Sequence, residues 1–149
     1  MDSHAGSERR RPRLVLADDH PEMLVRLKGL LSAEFTVVAA LADGDALLDA
    51  EAELSPDLLV LDITMPGING LEAATLLRRR GSMVPIVFLS IHEEPEFVMA
   101  ARQTGALGYV SKLHLVSDLI PAVKAALEGR RFVSPALQLG VEEGNPELP

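Results

Sequence analysis

Five polar side chains stand where apolar runs stop. Asp18 and Asp19 follow LVLA, Asp62 follows LLVL, Ser90 follows IVFL, and Lys112 comes just past LGYV. Paired acids, a third acid, a hydroxyl and a lysine suit phosphoryl transfer onto a carboxylate. Asp62 would attack in line, a hard divalent cation would sit on Asp19 and Asp62, and Lys112 and Ser90 would hold the phosphoryl oxygens. Carboxylates ~5 Å apart repel by roughly 3 kcal/mol per pair at an effective dielectric of about 20, so the set needs an offset. Mg²⁺, which binds through few carboxylates and keeps its waters, supplies one. Protonation of one aspartate supplies another. Either way, the chain must bring residues 18 to 112 to one place.

The elements that could do so are legible as alternating patterns. Leu58 to Leu61 is aliphatic without polar alternation, which fits a strand covered on both faces of a parallel sheet. Strands are predicted to begin at about Leu14, Thr36, Leu58, Ile86 and Leu107. A helix follows each: Pro21 to Leu31, Ala46 to Leu54, Gly70 to Arg80, Glu93 to Thr104, and a last one capped by Ser117 and Asp118 that ends near Glu128. Pro21 and Pro121 are placed in first turns, where a missing N–H costs nothing. Asp43 and Asp45 read as turn and cap residues, Arg78 to Arg80 as a solvated helix end, and Gly105 as a C-cap. Strict βα alternation predicts an α/β fold, a five-stranded doubly wound parallel sheet with helices on both faces. In such sheets ligands bind beyond the carboxyl ends of the strands, where all five polar residues fall.

Composition narrows the class. With 149 residues, the chain is predicted to form one domain with a single core. Three parts are expected: a disordered lead-in over 1–12, the domain over 13–131, and a linker or tail over 132–149 with one short possible helix near Pro135 to Gln138. Trp is absent and aromatics are 3%, so the core must be aliphatic. A net charge of −8 argues against a generally DNA-binding or membrane-binding surface, and no apolar run is long enough to span a bilayer. The absence of Cys suits a reducing compartment, so a cytoplasmic location is expected.

LVLADDHPE, LDITMPGINGLEA, VFLS and GALGYVSK, in this order and spacing, resemble the response-regulator receiver domain of bacterial two-component systems. The likeness is to the NarL/FixJ type, the subfamily with a LuxR-type helix-turn-helix domain, and covers about Arg13 to Pro135. It implies a (βα)5 flavodoxin-like fold with strand order 2-1-3-4-5, and phosphorylation of Asp62 by a sensor histidine kinase. Asp18, Asp19, Asp62 and the backbone carbonyl of Thr64 would hold Mg²⁺. Lys112 and Ser90 would assist, and Ser90 with Tyr109 would form a switch pair. Self-phosphorylation and self-dephosphorylation would be its only catalysis. Leu113 follows Lys112 where many receivers carry proline, as is common in this subfamily. The resemblance also implies a phosphorylation-dependent homodimer and DNA contact through a C-terminal domain that Phe132 to Pro149 cannot supply. A receiver fragment cut in the linker is therefore expected, ahead of a stand-alone receiver.

Each residue also has a plainer reading. Asp18 or Asp19 could cap a helix, Asp62 could open a turn, Ser90 could cap, and Lys112 could be a solvated loop lysine; the five together fit the site better. His20, His92 and His114 lack zinc-site spacing and read as surface or loop residues, although His92, two residues past Ser90, is placed to influence phosphate lifetime. An aspartate-nucleophile phosphatase would usually want a second Asp where Thr64 stands, and no phosphate-binding glycine loop is present. A phosphate-independent, receiver-like interaction module is the remaining alternative.

Overall fold

The computed structural model describes residues 10–137. In chain order the elements are β1 (Arg13–Ala17), α1 (Pro21–Leu31), β2 (Thr36–Leu41), α2 (Gly44–Leu54), β3 (Leu58–Asp62) and α3 (Gly70–Arg79). There follow β4 (Ile86–Ser90), α4 (Pro95–Gln103), β5 (Gly108–Ser111), a 3-10 turn (Lys112–His114), α5 (Leu115–Leu127) and β6 (Phe132–Val133). All pairings are parallel, in the order β2-β1-β3-β4-β5-β6. The expected 2-1-3-4-5 order is present, and a sixth strand extends it.

Alternation along the strands explains why both faces are dry. Val15, Ala17, Leu59 and Leu61 face the side covered by α2, α3 and α4, packing with Leu47, Ala74, Leu77 and Val98. Leu14, Leu16, Leu58 and Val60 face α1 and α5, packing with Leu27, Leu31, Leu119 and Val123. Every residue of β3 and β4 is buried, including Asp62 and Ser90 at their ends. Burying each Leu or Val side chain stabilises by roughly 1.5–3 kcal/mol, the favourable term set against burying a carboxylate at the sheet's rim.

Local chemistry sets the helix starts. Asp43 caps α2 by accepting from the Ala46 N–H at 2.8 Å, and Asn69 with Glu72 forms a reciprocal capping box at α3. Gly105 adopts φ +85°, a left-handed conformation suited to the residue that ends a helix. The start of α5 departs from expectation: it begins at Leu115, before Ser117 and Asp118, and Pro121 lies inside it. Leu115 is buried, and Ser111 Oγ accepts from the Leu113 N–H at 3.2 Å, so the 3-10 turn feeds straight into the helix. Ser117 Oγ instead donates to Asp118 Oδ1 at 2.9 Å. Pro121 removes the partner of the Ser117 carbonyl, but Ser117 is exposed and water can replace it.

The sixth strand lies in the stretch predicted as linker or tail. Phe132 N–H donates to the Leu107 carbonyl and Ser134 N–H to the Tyr109 carbonyl, both at 2.9 Å. The Ser111 N–H donates to the buried Ser134 Oγ at 2.9 Å. Pro135 to Leu137 begin a helical turn, and Leu137 is buried. Gln138 and the rest of the expected tail lie outside the described residues, as do residues 1–9 of the expected lead-in. Within that lead-in, the Pro12 carbonyl accepts from the Thr36 N–H at 2.9 Å. Among the described residues no helix is long and apolar enough to cross a membrane.

Candidate functional site

The ends of β1, β3 and β5 meet at one rim. Asp18 is fully buried, Asp62 is 3% exposed, and the Lys112 side chain is 10% exposed. Lys112 Nζ donates to Asp18 Oδ2 at 2.8 Å and to Asp62 Oδ2 at 3.0 Å. One ammonium thus joins two carboxylates brought together from separate strands. It answers part of the repulsion for which the sequence suggested only a cation or a proton.

The remaining carboxylate oxygens are engaged differently. Asp62 Oδ1 accepts from the Thr64 N–H at 3.1 Å, so at Thr64 the amide is the group in contact with Asp62. Asp18 Oδ1 accepts from the His20 N–H at 2.8 Å. His20 Nδ1 lies 3.2 Å from Asp18 Oδ1 and 3.2 Å from Asp19 Oδ1. Asp19 Oδ1 itself is buried without a hydrogen-bond partner. His20, read from the sequence as a surface or loop residue, is indeed exposed, yet it leans on the acid pair. Its position directly after two acids was the available signal.

Charge counts show what this pocket accepts. Three carboxylates share the pocket with one ammonium, which bonds only Asp18 and Asp62. Asp18, Asp19, His20 and Asp62 each offer a ligand atom within 4.8 Å of the others. A buried, unsatisfied carboxylate oxygen in an oxygen-rich set is what a hard divalent cation satisfies. Burial pushes the Asp62 carboxyl above its ordinary value, with Lys112 opposing and Asp18 adding to the rise. Burial alone would lower the Lys112 ammonium, but its bonds to Asp18 and Asp62 outweigh that and hold it above its ordinary value.

Two glycines let the loop after Asp62 fold back. At Gly70 a Cβ would lie 2.3 Å from the Asp62 carbonyl oxygen, and at Gly44 it would lie 2.4 Å from the Ile68 carbonyl oxygen. Gly70 N–H closes the turn onto the Ile63 carbonyl at 2.8 Å. No side chain fits either approach.

Ser90 ends β4, one residue beyond Leu89, the pairing partner of Asp62. Its Oγ accepts from the His92 N–H at 2.8 Å, and its hydroxyl also hydrogen-bonds the Tyr109 phenol. The Tyr109 ring is buried, and its hydroxyl donates to the His92 carbonyl at 2.7 Å. Burial pushes the Tyr109 phenol up to about 12. The His92 ring stacks on Phe97 with centroids 4.2 Å apart, and its Nε2 lies 3.4 Å from Thr64 Oγ1. His92 therefore touches both the loop after Asp62 and the loop after Ser90. His114 lies in the 3-10 turn beyond Lys112.

A doubly wound parallel sheet with a lysine-bridged acidic pocket at its carboxyl rim defines a flavodoxin-like class of α/β domain. The family model for the response regulator receiver domain matches residues 14–124. The chain belongs to that family. It is 36% identical over 126 residues to the nitrate/nitrite response regulator protein NarL of Escherichia coli (strain K12), covering 83% of this chain and 58% of the relative. The crystal structure of a LuxR-family two-component response regulator from Aurantimonas sp. SI85-9A1 superposes with a TM-score of 0.86 at 32% identity, covering 90% of this chain and 97% of that one. The signal receiver domain of the putative response regulator NarL from Mycobacterium tuberculosis matches with a TM-score of 0.73 at 34% identity, covering 81% and 99%. The chain is thus a receiver domain of the two-component response regulators related to NarL, and it spans little more than half of that relative's length.

Proposed function

We propose that Asp62 is the phosphoacceptor of this receiver and that a sensor histidine kinase is its phosphodonor. The observation that carries this reading is the convergence of Asp18, Asp62 and Lys112 on one set of bonds. An Asp62 carboxylate oxygen bonds to phosphorus as the donor's bond to phosphorus breaks, giving an acyl phosphate. Lys112 exchanges its bond to Asp62 for one to a phosphoryl oxygen, and the Ser90 hydroxyl donates to another.

Asp18, Asp19, Asp62 and the Thr64 carbonyl would hold Mg²⁺. When bound, the cation stabilises negative charge on the transferring oxygens. The unsatisfied Asp19 oxygen and the clustering of three carboxylates around one ammonium support this assignment. Beyond these partial reactions of Asp62, the domain performs no conventional catalysis.

Ser90 and Tyr109 form the switch. A phosphoryl group that engages Ser90 restrains the loop carrying His92, whose carbonyl holds the Tyr109 hydroxyl. The population shifts toward the conformation with the ring buried, and the face built from α4, β5, β6 and α5 reports it. The partner reading that face is a second copy of the protein, and the output is transcriptional, through an attached DNA-binding domain, in the cytoplasm. Peptide mapping after exposure to acetyl phosphate and Mg²⁺ tests the assignment: Asp62 is the residue modified, and modification elsewhere contradicts it.

A further inference from the structure

We infer that His20 supplies a nitrogen ligand to the divalent cation of this pocket and raises its affinity for imidazole-favouring ions relative to magnesium. This rests on the cation pocket proposed above. Asp18 and Asp62 turn their Oδ2 atoms to Lys112, while Asp18 Oδ1 and Asp19 Oδ1 lie on the side of His20. His20 Nδ1 is 3.2 Å from each of those two oxygens. Donors at right angles around an octahedral ion with bonds of about 2.1 Å stand about 3 Å apart, so nitrogen and oxygens already have the separation of neighbouring ligands. His20 occupies the N-cap of α1 yet makes no side-chain capping bond, which leaves Nδ1 to the acids. Asp19 Oδ1, the buried atom without a hydrogen-bond partner, is one of the two oxygens it approaches.

Ligand type then sets selectivity. Magnesium takes oxygen and keeps its waters, whereas imidazole raises affinity for ions such as Ni²⁺, Cu²⁺ and Zn²⁺. A receiver that used only the aspartates would show no such dependence on residue 20.

Calorimetric titration of the full 149-residue chain with NiCl₂ and with MgCl₂ at one fixed pH tests this. Only Ni²⁺ that excess Mg²⁺ displaces is counted, which excludes binding at histidines elsewhere. His20→Gln, which keeps a polar side chain at the helix start, is expected to lower Ni²⁺ affinity relative to Mg²⁺ by about tenfold or more, since losing even a group that only orients a ligand costs about 10–100-fold. His114→Gln, which changes an exposed histidine in the turn beyond Lys112, is expected to leave that ratio unchanged. A wild-type chain that binds Mg²⁺, with the same Ni²⁺ to Mg²⁺ ratio in His20→Gln, overturns the inference alone. A wild-type chain that binds neither ion overturns the cation pocket and the inference together.

Discussion

Lys112 and Asp62, fifty positions apart in sequence, meet at 3.0 Å through Nζ and Oδ2. The same ammonium holds Asp18 at 2.8 Å, so one side chain ties together the ends of β1 and β3. Charge repulsion is thereby reduced but not removed, and the consequences can be measured.

Replacing Asp62 by Asn keeps its shape and removes a charge that burial disfavours. Its carboxyl is raised above 3.8, so the folded chain keeps a proton that the unfolded chain has lost, and this group's contribution to stability declines as pH rises past that value. Without divalent cations at neutral pH, Asp62→Asn is expected to raise the unfolding free energy, because a buried charge is removed while Lys112 keeps Asp18 as its partner. Urea denaturation measures it; a destabilised variant contradicts the electrostatic account.

Lys112→Met should do the opposite. It leaves two buried carboxylates without their cation and is expected to cost about 3 kcal/mol or more at neutral pH. The Lys112 ammonium is raised above 10.5, so its stabilisation is complete below that value and is lost as pH climbs through the folded-state value. The gap between wild type and Lys112→Met should narrow above pH 10.5. Tyr109, pushed up to about 12, also titrates there, but both proteins carry it and its effect cancels. Alkaline denaturation curves that stay parallel would count against the bridge.

Gly70→Ala tests the close approach of α3 to the acceptor strand. A methyl group there meets the Asp62 carbonyl oxygen at 2.3 Å, and the backbone on both sides must move. The expected cost is about 1–3 kcal/mol, with Asp62 displaced enough to slow self-phosphorylation. Unchanged melting and unchanged phosphate uptake would show that the loop yields freely.

His92 reaches Thr64 with Nε2 at 3.4 Å while its ring is fixed against Phe97. Its side chain is therefore expected to influence how water reaches the acyl phosphate, and His92→Ala to change the decay rate modestly. Equal decay rates in the two proteins dispose of this role.

The fold was readable because β1, β3 and β4 each carry an unbroken apolar run that stops on a polar residue. Leu58 to Asp62 and Ile86 to Ser90 are buried throughout, as that pattern requires. What the sequence concealed depends on tertiary context. Phe132 and Val133 are too few to signal a strand, and they become one because the edge of β5 offers backbone groups to Phe132 and Ser134. The early start of α5 depends on Leu115 finding the core and on Ser111 capping the preceding turn. The bridging of Asp18 by Lys112 and the turn of His20 toward the acid pair involve directions of side chains, which residue type and spacing leave open.

Intact-mass measurement after incubation with acetyl phosphate tests the central claim most directly. The account predicts that the wild-type chain gains one phosphoryl group when Mg²⁺ is present, gains little when the metal is chelated, and gains none as Asp62→Asn. Equal uptake by Asp62→Asn, or no uptake by wild type with Mg²⁺ supplied, would contradict it.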